Sequence, residues 1–157
     1  LLRGERMPEY HMFVDLKVPD TAAITVKRTL QRMGFKDLLD VNRSDYYFFK
    51  SDQKTADALS RTDILVNVNK HRCSFSTKVE PKYLGKSEGV MVLVNSKESE
   101  AGLLNMLRER LGFRELQSIQ KGTVWTLFFS SDEPRREARK AAEDLLCNKH
   151  YQDYTLL

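Results

Sequence analysis

The sequence predicts an α+β fold with antiparallel sheets, in which two copies of one unit form a pseudo-dimer within the chain. First, apolar residues change from strand spacing to helix spacing in the same order twice. Second, a Gly-Phe pair recurs, as Gly34-Phe35 and Gly112-Phe113. Third, an apolar helix ending followed by asparagine recurs at Asn67 and Asn148. Duplication followed by small insertions produces such a pattern.

The spacing between the matching positions changes slowly along the chain. It is 78 for Gly34 and Gly112, 80 for Phe48 and Phe128, and 81 for Asn67 and Asn148. We therefore expect about two extra residues in the hairpin of the second copy.

The residue pattern of the first copy predicts, in order, a strand, a helix, two strands, a second helix and a short strand. Alternation from Met12 to Val18 indicates a half-buried strand, and Asp20 is a candidate helix cap. The helix carries an apolar stripe of Ala23, Val26, Leu30 and Met33 and ends at Gly34. The later elements are expected at 38–43 and 46–50, with a turn at Ser44-Asp45, then a helix from Ser51 or Asp52 to about Leu65, and a strand near 69–75.

The second copy predicts the same order. A strand at 90–94 precedes a helix with the stripe Ala101, Leu104, Leu107 and Leu111, which Gly112 ends. Strands at 116–121 and 123–130 are expected to form a hairpin around Gly122. Asp132 is a candidate cap for a helix with Pro134 in its first turn, and a last strand is expected at 151–156.

These patterns divide the chain into a first repeat at 8–75, a linker at 76–88 and a second repeat at 89–157. Units of this size bury limited apolar area, so we expect the two to share a core or to join their sheets. The exposed edges of the two last strands suggest that each adds to the other unit's sheet. Residues 1–6 precede Met7-Pro8 and are expected to be an upstream remnant or tag.

Composition favours a cytoplasmic protein. The 157 residues carry a formal net charge of +4, with 26 basic and 22 acidic side chains interspersed. No apolar run reaches membrane-spanning length. Two cysteines make no disulfide framework. Nucleic-acid binding is not favoured, because no recognised motif accompanies the charge.

The sequence shows no catalytic pattern, so no catalytic residue, cofactor or metal is expected. His11, His71 and His150 form no ligand pair at helical spacing, and no glycine-rich phosphate loop is present. Cys147 lies near His150, but a histidine at a helix end is more often a surface group.

Two further clusters have alternative interpretations. The aromatic run 46–49 suits a buried strand better than a base-stacking platform, and Trp125 follows the same argument. A basic cluster, composed of Arg135, Arg136, Arg139 and Lys140, is either a solvated helix face or a docking surface for an acidic partner.

Several short stretches carry a family resemblance. In the second copy they are Gly112-Phe113, Leu116, Ile119, Gly122 and the ending 145–154, which reads LLCNKHYQDY. In the first copy they are Gly34-Phe35, Asp40-Val41 and 64–67. The chain resembles a tandem of the PurS subunit of phosphoribosylformylglycinamidine synthase. Asn42 and Gln120 stand where that family usually has arginine, and Asp45 and Thr123 where it usually has lysine; Arg43 and Lys121 lie one position away.

The resemblance implies a non-catalytic subunit that bridges a PurQ-like glutaminase and a PurL-like synthetase in purine biosynthesis. The candidate interface residues are Arg43, Lys121, Gly122, Asn67, Asn148, Arg135 and Arg136. Further self-association is also possible. The alternatives are a regulatory module of the ACT type, which binds an amino acid between paired α+β units, and a ferredoxin-like repeat that binds nucleic acid.

Overall fold

The computed structural model describes residues 7–157, so the expectation for residues 1–6 lies outside the described part. The first half contains β1 (Glu9–Leu16), α1 (Thr21–Arg32), β2 (Leu38–Lys50), α2 (Gln53–Leu59) and β3 (His71–Ser76). A small hairpin follows, formed by β4 (Tyr83–Leu84) and β5 (Ser87–Glu88). The second half contains β6 (Val90–Ser96), α3 (Ala101–Asn105), β7 (Ser118–Phe129), α4 (Pro134–Ala141) and β8 (Gln152–Leu156).

The predicted α+β class with an antiparallel sheet is confirmed. Within the described residues the main sheet has six strands in the order β3-β1-β2-β7-β6-β8, and β4 pairs with β5 separately. In each half the first strand lies between the other two and is antiparallel to both.

The chain divides into two compact units that do not follow its two halves. The first unit contains the described residues up to Lys17, together with Asp45–Val79 and Glu98–Lys121. The second contains Val18–Ser44, Glu80–Lys97 and Gly122–Leu157. The sequence repeats at 8–75 and 89–157 remain a prediction about ancestry, whereas each compact unit draws residues from both repeats.

Helix α1 belongs to the second unit. Its buried Leu30 lies in one apolar cluster with Val92 and Leu127, which come from the second half of the chain. Full burial of a leucine contributes about 1.5–3 kcal/mol, so this helix stabilises a core made largely by the other half.

The reverse arrangement holds for the first unit. Leu107, at the end of the helix that begins with α3, is fully buried in a cluster with Met12 and Phe49 of the first half. The helix α1 of the first half therefore belongs to the same unit as β6 of the second half. The helix α3 of the second half belongs to the same unit as β1 of the first half.

The predicted hairpins at Ser44-Asp45 and Gly122 are wrong, because β2 and β7 are each continuous strands. Ser44 is buried within β2 at 2% exposure. Gly122 does not have a positive φ; a Cβ there would lie 2.6 Å from Leu93 Cδ1 and 2.9 Å from the Val94 carbonyl oxygen. The glycine permits close packing between strands rather than a turn.

The predicted signals at the first helix are confirmed. Asp20 accepts hydrogen bonds from the amides of Ala22 and Ala23, at 2.9 and 3.3 Å. Gly34 and Gly112 have φ values of 111° and 79°, as the ends of both first helices require.

Three local predictions are wrong. α2 ends at Leu59 rather than near Leu65. The residue that precedes α4 is Glu133 rather than Asp132, and it makes no side-chain capping bond, although Pro134 does occupy the first turn. The strand face expected to continue to Val18 is buried at Met12 and Val14 only, since Val18 is 66% exposed beyond the end of β1.

The predicted exchange of last strands is also wrong. β3 pairs with β1 of its own half, and β8 pairs with β6 of its own half. The first helices cross to the other half instead: α1 packs in the cluster that contains β6, and the helix that begins with α3 packs in the cluster that contains β1. Each of these helices carries a broad apolar stripe, which a strand edge does not provide.

The two halves share one strand register. Val14 faces Asp45 and Cys73, and Val94 faces Thr123 and Tyr154. The last strands, which begin at His71 and Gln152, correspond at a spacing of 81. With this anchor, the pairing gives a spacing of 80 for the first strands (14 to 94) and 78 for the long strands (45 to 123).

This register corrects the alignment of the second copy. Phe48 corresponds to Thr126 at a spacing of 78, so Phe128 is not its counterpart and the expected two-residue insertion in the hairpin is wrong. The spacing falls from 80 at Asp20 and Glu100, which precede the first helices, to 78 in the long strands, so the second half is shorter in this segment. It rises again to 81 in the last strands, so the second half is longer between β7 and β8.

The same helices differ in their last turn. The Phe35 amide donates to the Leu30 carbonyl, and the Phe113 amide donates to the Leu107 carbonyl, at 3.1 and 3.0 Å. Four positions separate Leu30 from Gly34, but five separate Leu107 from Gly112. The extra residue is accommodated by a π-helical turn at Met106–Arg110.

We predict that cleavage between the halves leaves them associated. A specific protease site inserted after Gly85, in the exposed turn of the β4–β5 hairpin, should allow complete cleavage. Because each half contributes its first helix to a core of the other half, the products should elute as one species in native size-exclusion chromatography. Denaturant is the control and should separate them. Elution of two folded, independent halves without denaturant would contradict the shared cores.

Candidate partner-binding surfaces

Asn67 organises a turn in the first unit. Its carboxamide Oδ1 accepts from the Asn69 amide at 3.0 Å, and its carbonyl accepts from the amides of Lys70 and His71 at 3.0 and 2.7 Å. The Asn67 amide donates to Nδ1 of His71 at 3.0 Å. All these bonds lie within five consecutive residues, so asparagine sets the turn locally.

Asn148 organises the matching turn in the second unit. Its Oδ1 accepts from the His150 amide at 3.1 Å, and its carbonyl accepts from the amides of Tyr151 and Gln152 at 3.0 and 2.8 Å. The Asn148 amide donates to Oε1 of Gln152 at 2.9 Å. Every bond of the Asn67 turn has its counterpart 81 positions later (148 against 67).

The two turns present different side chains to solvent. Ile64 and Val68, which flank Asn67, are 45% and 53% exposed. Leu145 and Tyr151, which flank Asn148, are 38% and 69% exposed. We call the first set the Asn67 surface and the second set the Asn148 surface. Ile64 and Leu145 are equivalent aliphatic residues at the spacing of 81, whereas Val68 and Tyr151 occupy different positions of the turn. The two turns therefore share one exposed aliphatic side chain and differ in the second exposed apolar side chain.

Arg43 forms its ion pair within the second unit. Its Nε donates to Oδ2 of Asp20 at 2.8 Å, and its Nη2 donates to Oδ1 at 3.1 Å. The guanidinium carbon also lies 5.9 Å from the centre of the Trp125 ring. Asp20 thus caps α1 and orients Arg43 at once, so this predicted interface residue has a structural role.

Lys121 has a similar aromatic neighbour but a freer charge. Its Nζ lies 6.0 Å from the centre of the Tyr47 ring, and it makes no ion pair with the residues described. Burial, with smaller effects from Asp45 and Glu100, raises the pKa of Tyr47 to about 12. Of the two predicted cations, Lys121 is the one whose charge is open to solvent.

The other predicted interface residues are separated. Gly122 serves close packing, as described above. Arg135 and Arg136 lie exposed on α4, where Arg136 pairs with Glu133 at 3.2 Å. The structure thus does not bring the seven predicted residues into one site.

The thiols are poorly suited to nucleophilic catalysis. Burial, with a smaller effect of Asp15, raises the pKa of Cys73 to about 11. Burial also raises the pKa of Cys147, whose Sγ donates to the Gln152 carbonyl at 3.5 Å. A catalytic cysteine needs a lowered pKa, because the thiolate is the nucleophile.

Most of the aromatic run 46–49 is buried in the core, as the strand interpretation of this run predicted. Tyr46, Tyr47 and Phe49 are buried at 3%, 4% and 0% exposure, as expected for a strand and not for a base-stacking platform. His11 lies 2.6 Å from the Tyr46 hydroxyl through Nδ1, and burial lowers the pKa of His11. Within residues 7–157 no group of three or more His, Cys, Asp and Glu side chains is placed to hold a metal ion.

Sequence reasoning located the two asparagines through the repeat, but it missed the exposed side chains beside them. Ile64 was expected inside the second helix of the first half, which ends at Leu59, and Leu145 lies in a π-helical turn at Ala142–Leu146 but is 38% exposed. Tyr151 was assigned to a strand, whereas β8 begins at Gln152. The signal available was the asparagine itself, since a residue that forms a local turn ends a helix and exposes its neighbours.

We predict that Asp20→Ala lowers the free energy of unfolding by about 1–3 kcal/mol, because it removes a helix cap and leaves Arg43 unpaired. Chemical denaturation measures this change. Glu100→Ala is the matched control, because Glu100 precedes α3 without a capping bond and should cost no more than about 0.5 kcal/mol. Equal effects of the two substitutions would contradict the role given to Asp20.

Comparisons with known proteins place the chain in no family. No family model matches it, and no curated protein matches it significantly. None of the helices in the described part is long and apolar enough to span a membrane.

Proposed function

We propose that this chain is a non-catalytic bridging subunit, similar to a fused pair of PurS subunits, that joins a glutaminase and a synthetase. The observation that carries the proposal is the pair of matching turns at Asn67 and Asn148, which present different exposed side chains. A duplicated module whose copies differ at equivalent surfaces can bind two different partners in a fixed relation.

The shared register supports the duplication on which this role depends. Val14 and Val94 occupy equivalent places between their neighbours, and the helix ends at Gly34 and Gly112 make equivalent bonds. A fused pair supplies in one chain what a dimer would supply in two. Each copy is then free to change its own surface.

The chemistry of the exposed groups supports binding rather than catalysis. The large exposed apolar side chains at the two turns resemble those that anchor protein interfaces. Burial raises the pKa of both thiols, which disfavours the thiolate that a nucleophile needs. In this proposal the protein holds the glutaminase and synthetase sites in register, limits the loss of ammonia between them, and works in the cytoplasm.

Co-expression tests the proposal. A tagged form of this chain should retain a PurL-like synthetase and a PurQ-like glutaminase together when glutamine and nucleotide are supplied. Copurification of neither enzyme would refute the proposed function. Salt-dependent RNA binding tests the nucleic-acid alternative, and amino-acid binding by a chain that retains neither enzyme would favour the ACT-type alternative.

Two substitutions test the division of labour between the surfaces. Val68→Asp should release one enzyme and retain the other, and Tyr151→Asp should do the reverse, because a buried unpaired charge weakens an interface by about tenfold or more. Tyr83→Asp is the matched control, since Tyr83 is 62% exposed on the β4–β5 hairpin. Release of both enzymes by either variant, or of neither by both, would contradict the assignment of one partner to each turn.

A further inference from the structure

A cavity of about 850 Å³ lies within the second unit, between the end of α1 and the start of α4. Its volume falls in the range of about 300–1,000 Å³ that small-molecule sites occupy. Met33 and Phe35 line one side, where Met33 is 46% exposed and Phe35 is buried. Residues of α4 and of the segment before it line the other side.

Opposite charges line this cavity without neutralising each other. Lys140, Asp37 and Asp132 all line it, yet none of the three makes an ion pair within 4.0 Å to any residue in 7–157. Lys140 Nζ lies instead 5.8 Å from the centre of the Phe35 ring.

The other charged residues of the cavity are already engaged. Arg136 pairs with Glu133 at 3.2 Å, and Glu137 accepts a hydrogen bond from the Ser131 hydroxyl. The charges left for a ligand are therefore one ammonium group and two carboxylates, beside an apolar wall.

We infer that this cavity binds a zwitterion, namely a free α-amino acid or a short peptide. The ligand's carboxylate pairs with Lys140, its ammonium group pairs with Asp37 and Asp132, and its side chain contacts Phe35 and Met33. A ligand with only one charge leaves the opposite charges of the cavity without partners. This inference does not depend on the proposed bridging role, because every residue that carries it lies outside the Asn67 and Asn148 surfaces.

Calorimetry on the full chain tests the inference. The probes are the standard amino acids and the dipeptide leucyl-leucine, at millimolar concentration. At least one should bind, and the tighter class identifies the source as a free amino acid or a peptide. Its N-acetyl form, which lacks the ammonium group, and its amide, which lacks the carboxylate, should each bind about tenfold more weakly or worse. Absence of binding by every probe, or equal binding of the modified forms, would overturn the inference.

Three variants locate the site. Lys140→Gln and Asp132→Asn should each weaken the binding of the zwitterion about tenfold or more. Both side chains are exposed, so neither change should disturb folding, and the melting temperature without ligand checks this. Arg135→Gln is the matched control, because Arg135 lies on the same helix but does not line the cavity, and its binding should equal that of the wild type. Wild-type binding by both cavity variants would refute the site.

Discussion

The fold depends on the burial of one leucine from each first helix in a core formed with the opposite half of the chain. Leu30 is fully buried with Val92 and Leu127, and Leu107 is fully buried with Met12 and Phe49. A half of this size has few apolar residues with which to cover its three strands of the main sheet. The exchange of helices gives the strands of each half a cover from the other half.

This arrangement explains which features the sequence could predict. Asp20, Gly34 and Gly112 act through bonds within a few residues, so their roles follow from local chemistry. Ser44 and Gly122 favour turns locally, but packing between neighbouring strands decides their conformation. An apolar stripe shows that a helix packs on strands without showing which half of the chain supplies them, and therefore the exchange of helices was not predictable.

The candidate surfaces were predictable to a similar degree. Asn67 and Asn148 stood out because both copies preserve them, and the structure shows the same bonds around each. The role of Arg43 depends on Asp20, which is distant in sequence, and the cavity beside Lys140 depends on two helices meeting. Such relations arise only in the folded chain. Two matching turns that carry different exposed residues support the proposed bridging role.

The most direct test of the shared cores is a methyl NOE measurement on the intact protein. Selective methyl labelling should give contacts from Leu30 to Val92 or Leu127, and from Leu107 to Met12, because these residues lie in common apolar clusters. Contacts of Leu30 with Met12, together with contacts of Leu107 with Val92, would place each helix on its own half and contradict the account.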